Sequence, residues 1–181
     1  MAIIALTGGM GSGKSTVVKL LEQRFPQKIS SVKFAEPLYE IQEFAYHAIS
    51  PVFKRSNDFQ KDRKLLQYLG TEWGRSIDKD LWVKLWKEKV DSVIKAMPQQ
   101  LIVCDDVRFD NEAEIVKQMK GIIIKVTTTK TEERINTKKG FSGHKSELGI
   151  YIMYVNHFLG NDGSIEDLNN ALEAILKKEG L

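Results

Sequence analysis

The residues Gly8-Gly9-Met10-Gly11-Ser12-Gly13-Lys14-Ser15 carry the sharpest chemical signal in this 181-residue chain. They match the spacing G-x-x-x-x-G-K-[ST], and they stand where that spacing has meaning. The apolar run Ile3-Ile4-Ala5-Leu6 precedes them as a strand would, and Thr16-Val17-Val18-Lys19-Leu20-Leu21 follows with helical periodicity. A backbone that bends this tightly around an anion needs glycine, because side chains would block its approach. Its successive N–H groups and the start of the following helix then offer partial positive charge to phosphate oxygens. Gly9, Gly11, Ser12, Gly13, Lys14, Ser15 and Thr16 are therefore expected to cradle a nucleoside triphosphate. Lys14 would reach the β- and γ-phosphates, and the Ser15 hydroxyl would hold Mg²⁺.

A second group of candidates follows Leu101-Ile102-Val103-Cys104, a buried-type strand that ends in Asp105 and Asp106. In an open parallel sheet, ligands sit at the carboxyl ends of the strands. Paired carboxylates there can organise Mg²⁺ through water, a task given to Asp105, and guide an acceptor proton, a task given to Asp106. Arg108 either clamps phosphate from the same crevice or forms a surface ion pair. Gly70-Thr71-Glu72-Trp73-Gly74-Arg75 reads as poor helix material. Its ring and guanidinium suit a base-and-phosphate ligand, or the tryptophan is simply buried in a structural turn. From Thr127 to Glu147 apolar residues thin out and Lys130, Arg134, Lys138, Lys139, His144 and Lys145 accumulate. That stretch reads as a lid closing over triphosphate oxygens, or as a basic loop.

The elements needed to position these groups follow from periodicity. Strands are expected at Ile3–Leu6, Ile29–Phe34, Leu101–Cys104, Ile122–Val126 and within Tyr151–Phe158. Helices are expected after the phosphate loop, from Leu38 to Ile49, from Asp80 to about Met97, from Glu112 to Lys120 and from Ile165 to Lys178. Pro37 suits a first helical turn. Phe44 and Tyr46 are read as helix core or as neighbours of the acceptor. Trp86 belongs to the core, whereas Trp82 near its helix start can face a ligand. The polar stretch 54–64 reads as a solvated face or loop. Alternating βα units imply a three-layer α/β/α fold with a five-stranded parallel sheet.

Length fits one domain over 1–181, with a helical acceptor region at about 36–97 and a lid at about 127–147. A net charge of +3 gives no reason to expect a nucleic-acid partner. The single Cys104 excludes an internal disulfide. No stretch reaches membrane-spanning length, and the first residues run straight into a strand, so a soluble protein of a reducing compartment is expected. The guanine-specifying run Asn-Lys-x-Asp of a switch GTPase does not occur. A small-molecule kinase fits best.

Several blocks carry a family resemblance: Phe34-Ala35-Glu36-Pro37-Leu38, Leu66-Gln67-Tyr68-Leu69-Gly70-Thr71-Glu72-Trp73-Gly74-Arg75, Asp80-Leu81-Trp82-Val83, and the run from Asp105 to Glu114 opening Asp-Asp-Val-Arg-Phe. With His144-Lys145-Ser146-Glu147 and Asn161 to Leu168, the chain resembles the deoxynucleoside monophosphate kinases of tailed phages. The resemblance implies transfer of the ATP γ-phosphate to a deoxynucleoside 5′-monophosphate with Mg²⁺. Gln67, Thr71, Trp73, Arg75, Trp82, Asp106 and Arg108 would then line the acceptor pocket, together with Phe34, Gly70 and His144 of the same blocks. The implied catalytic set is Lys14, Asp106, Arg108 and a lid cation, for which Arg134 is the first choice. A phage origin, and with it the host cytoplasm, is implied likewise. The same architecture would also serve a kinase of another phosphorylated metabolite such as dephospho-coenzyme A, or a nucleotide-binding regulator without transfer activity. The aromatic helices around Tyr46 and Trp86 serve a core or a homodimer interface equally well.

Overall fold

A computed structural model describes residues 2–52, 61–131, 133 and 154–181. Five parallel strands form its sheet: β1 (Ile3–Thr7), β2 (Ile29–Ser31), β3 (Leu101–Cys104), β4 (Ile122–Thr127) and β5 (His157–Gly160). Their order is β2-β3-β1-β4-β5, so β1 lies at the centre with β3 and β4 as neighbours. The register sets Ala5 opposite Cys104, and the segments leaving β1 and β3 therefore emerge side by side.

Both faces of the sheet are covered. Because side chains alternate along a strand, Ile3 and Ala5 of β1 join one cluster with Phe34, Trp86, Val90, Ile102 and Val116. Ile4 and Leu6 join the other with Val17, Leu21, Ile124, Leu159, Leu168 and Leu172. The helices α1 (Lys14–Arg24), α2 (Glu36–Ile49), α3 (Arg63–Gln67), α4 (Gly74–Ile77), α5 (Leu81–Ala96), α6 (Asp110–Gln118) and α7 (Ile165–Lys178) connect or flank the strands. The expected three-layer parallel α/β architecture is present, and Trp86 is a core residue stacked on Phe34 with ring centroids 4.6 Å apart. Ser164 caps α7 by accepting from the Asp167 N–H, while the Asp167 carboxylate takes the Ser164 N–H in return. No helix among the described residues is long and apolar enough to cross a membrane.

Four expectations need correction. The second strand does not run to Phe34: it closes at Ser31, although the Val32 N–H still bonds the Val103 carbonyl at 3.0 Å. Beyond it, the Phe34 and Ala35 N–H groups turn onto the Asp106 carboxylate at 3.1 and 2.9 Å, which pulls the chain out of the ladder. The fifth strand is displaced to His157–Gly160 because the Asn156 side chain and N–H bracket Ile123. Phe44 is neither core nor site: it is 75% exposed, since α2 turns its buried Gln42 and half-buried Tyr46 toward Asp62, the cap of α3.

The fourth concerns the two-glycine run. It is helical throughout, as a π-helical turn (Tyr68–Trp73) leading into α4. Its glycines serve close approach rather than bending. A Cβ on Gly74 would collide with the Trp82 ring and stand 2.8 Å from the Leu69 carbonyl oxygen. The Trp82 Nε1–H donates to the Gly70 carbonyl at 3.0 Å, so the indole is fixed at both its ring and its nitrogen. Gly74→Ala should therefore lower stability by about 1–3 kcal/mol through overpacking, despite alanine's better helix propensity. A urea-unfolding midpoint equal to wild type would show that Trp82 has room to move.

Candidate active site

The loop after β1 and the carboxylates after β3 open into one cavity of about 510 Å³. Its floor on the β1 side is Gly8, Gly9, Met10, Gly11, Lys14 and Ser15. Gly11 and Gly13 have φ of +82° and +101°, and a Cβ on Gly8 would meet the Val126 carbonyl, so the loop path requires glycine at these positions. Of the expected cradle, Ser12, Gly13 and Thr16 lie just behind the lining; the Ser12 N–H bonds the Gly9 carbonyl at 3.2 Å. Lys14 Nζ donates to the carbonyls of Gly8 and Gly9 at 2.8 and 3.0 Å. Burial first, and the Arg108 guanidinium second, bring its pKa down to about 8.

Asp105 and Asp106 divide the work in an unexpected way. Asp106 is enclosed by protein while still reaching the cavity, and it accepts the Phe34 and Ala35 amides and the Cys104 thiol at 3.2 Å. Enclosure raises its pKa against those hydrogen bonds. Asp105 faces Lys33, whose Nζ donates to Oδ2 at 3.2 Å. The Nζ also lies 3.0 Å from Oδ1, but without hydrogen-bond geometry, leaving that buried oxygen without a hydrogen-bond partner. Asp105 and Ser15 line the same cavity, and their oxygens fit a hard cation that takes oxygen ligands and keeps several waters, with the Lys33 ammonium now standing against the carboxylate. Among the described residues no group of three or more acidic, histidine or cysteine side chains could hold a metal by itself.

The far wall comes from β2's exit and the α3–α4 segment. Gly70 and Thr71 follow Gln67 by three and four residues, and Arg75 follows Thr71 by four, so one helical face presents them all to the cavity. Trp73 falls on the other face, 40% exposed and outside the lining. Phe34 and the 3%-exposed Trp82 complete the wall. Arg108 also lines the cavity.

Arg75 already has an anionic partner. It pairs with Glu112 at 2.8 Å, donates to Asn111 Oδ1 at 3.2 Å and to the Lys79 carbonyl at 3.0 Å, and lies 3.7 Å above the Phe109 ring. Glu112, missed in the sequence, is the hub of this arrangement. Its second oxygen accepts the N–H groups of Arg108 and Phe109 at 2.8 and 3.1 Å. It stands three residues after Phe109 and takes that residue's N–H, the acidic half of a helix cap; with phenylalanine where a capping box needs a hydroxyl or carboxylate, no sequence signature marked it. Lys33, Lys61, Arg63 and Asn161 were missed as well. The first three line the cavity, and Asn161 Nδ2 donates to the Ser12 carbonyl at 2.9 Å. Of the expected lid, residues 127–131 and 133 are described; Arg134 and His144 lie outside the described residues.

Burial drives the Glu112 carboxyl from its usual 4.5 up to about 7, outweighing the help of two amides and Arg75. In that window the folded chain holds a proton that the unfolded chain has released. This group's contribution to stability therefore falls as pH rises from about 4.5 to about 7. Urea-unfolding midpoints across that range should decline more steeply for wild type than for Glu112→Gln. Parallel pH profiles would place Glu112 in an ordinary solvated setting.

Comparison with known proteins agrees with this geometry. The profile of the family described as deoxynucleotide monophosphate kinase matches residues 38–172. A protein of Acanthamoeba polyphaga mimivirus is 29% identical over 153 residues, covering 70% of this chain and 74% of its own. The deoxynucleoside-5′-monophosphate kinase of Escherichia phage T5 is 31% identical over 117 residues, which is 62% of this chain but only 43% of the phage protein's length. In fold, the chain is similar to dephospho-CoA kinase from Campylobacter jejuni, with a TM-score of 0.54 at 14% identity over 98% of this chain and 96% of that one. A phosphate loop, a strand-end acid pair and a helical wall around one cavity, with a family profile spanning most of the sequence, place this chain in the deoxynucleotide monophosphate kinase family.

Proposed function

We propose that the chain transfers the γ-phosphate of ATP to a deoxynucleoside 5′-monophosphate. The observation that carries this reading is the shared cavity: a triphosphate cradle and a separate wall of aromatic, amide and hydroxyl groups face each other across the strand ends. Phosphoryl transfer asks little covalent chemistry of a protein and much alignment and charge stabilisation. Gly9, Gly11 and the amides behind them would hold the donor's phosphates. Lys14 would leave its loop carbonyls for the β- and γ-oxygens. When bound at Ser15 and Asp105, Mg²⁺ supplies charge neutralisation on the phosphates.

On the acceptor side, Gln67 and Thr71 would meet the base edge, with Phe34 and Trp82 as apolar walls. Arg108 would take the acceptor's phosphate from a turn held by Glu112. Arg75, committed to Glu112, acts on the acceptor by fixing that turn. Asp106 sets the position of Phe34 and Ala35. Arg134 and His144 remain the proposed lid contributions, and 36–97 the proposed acceptor region.

The test is a panel of labelled ATP with each deoxynucleoside monophosphate, products being separated by thin-layer chromatography. Diphosphate should form with at least one acceptor and none with the free deoxynucleosides. Equal transfer to a free deoxynucleoside, or to dephospho-coenzyme A alone, would overturn the reading. Lys14→Ala should abolish transfer, and Arg108→Ala should raise the acceptor KM.

Lys14 adds a pH dependence. Triphosphate raises the pKa of a lysine it touches, and the free chain's Lys14 titrates at about 8. Affinity for ATP should be flat below that pH and weaken as pH rises through it, with net proton uptake on binding. Titration calorimetry in buffers of different ionisation enthalpy measures both. Affinity that is level from pH 7 to 9.5 would remove Lys14 from the phosphates.

A further inference from the structure

We propose that Arg63 joins Arg108 in binding the phosphate of the acceptor, an assignment that rests on the kinase reading above. Six cationic side chains line the cavity among the described residues, and they are not equally available. Lys33 is held by Asp105 and Arg75 by Glu112, each within 3.0 Å. Lys14 belongs to the donor loop, Lys61 donates to the Tyr39 hydroxyl at 3.0 Å, and Arg108 already has its place on the acceptor's phosphate. Arg63 meets no carboxylate among the described residues; its Nη2 is directed at the Sδ of Met10, 3.3 Å away.

A thioether is a weak acceptor, so this contact is cheaply exchanged. A phosphate monoester offers charged oxygens that a guanidinium grips with two parallel hydrogen bonds. The placement is also specific. Met10 belongs to the loop that cradles the donor, whereas the backbone of Arg63 opens α3 on the acceptor wall. Arg63 thus spans the gap where donor and acceptor phosphates must meet. Gln67 follows four residues later on the same helical face, about 6 Å along the axis. The helix therefore presents an amide for a base and a guanidinium for a phosphate, one turn apart, to the same ligand. Asp62 keeps this turn in place by capping α3 at the Leu65 N–H, 3.0 Å.

The experiment compares wild type with Arg63→Met and Arg63→Lys, using ATP and the deoxynucleoside monophosphate that wild type phosphorylates best. Arg63→Met should raise the acceptor KM about 10- to 100-fold, the usual weight of a hydrogen bond to a charged group, with the ATP KM and the thermal midpoint unchanged. Arg63→Lys should fall between the two, because it keeps charge but loses the fork, and it carries the test if Arg63→Met does not fold. Calorimetry adds a second readout: wild type should bind the monophosphate more tightly than the free deoxynucleoside, and Arg63→Met should lose most of that difference. An unaltered acceptor KM, or a rise in the ATP KM instead, overturns the assignment while leaving the kinase reading intact. No turnover by wild type with any deoxynucleoside monophosphate overturns the kinase reading itself, and this assignment with it.

Discussion

The carboxylate of Asp106 is the contact on which the rest of the site depends. It leaves β3 and takes the two amides where the chain departs from β2. An enclosed carboxylate costs stability unless its oxygens are satisfied, and here both are satisfied by the backbone that follows β2, the neighbour of β3 in the sheet. The clamp ends β2, fixes Phe34 against Trp86, and starts α2 in the direction that closes the cavity. Losing it would release the acceptor wall from the sheet rather than remove one ligand from a reaction.

The cavity's charges show a related economy. Cations outnumber carboxylates along its lining, as binding two phosphorylated ligands requires, yet several are already paired. Lys33 and Asp105 hold each other, and so do Arg75 and Glu112. Such pairs keep a strongly positive pocket from repelling itself before nucleotide arrives. They also set the geometry of the groups that remain. The turn bearing Arg108 is built on Glu112, and Glu112 is built on Arg75. An arginine that looks like a ligand in the sequence lines the cavity and also supports the turn that bears another arginine.

Much of this was legible in the residues, and the division follows locality. The phosphate loop, the parallel α/β alternation and the acid pair at a strand end are written over a few neighbouring positions. What escaped was set by distant partners. The run around Gly74 looked unfit for helix because Gly74 answers to Trp82 and Gly70 to Leu38, residues on other helices. Lys33 and Asp105 are 72 residues apart, and no spacing rule joins them. Arg63 and Lys61 sat in a polar segment that reads as solvated surface, and only the fold turns them inward. Phe44 misled in the opposite sense, an aromatic on an apparently apolar helix whose buried side is polar.

Asn161 has a consequence for how far the phosphate loop reaches into the chain. It stands just past β5, supports the Ser12 carbonyl, and packs so closely that Gly13 has no room for a Cβ. The neighbouring Asp162 carboxylate takes the Thr129 N–H at 2.8 and 3.1 Å, tying the exit of β4 to the same corner. The start and finish of the β4–β5 excursion are thus stapled behind the donor's seat. The two anchor points are thereby coupled to the phosphate loop, so a change at either end of the excursion reaches that loop through Asn161 and the Ser12 carbonyl.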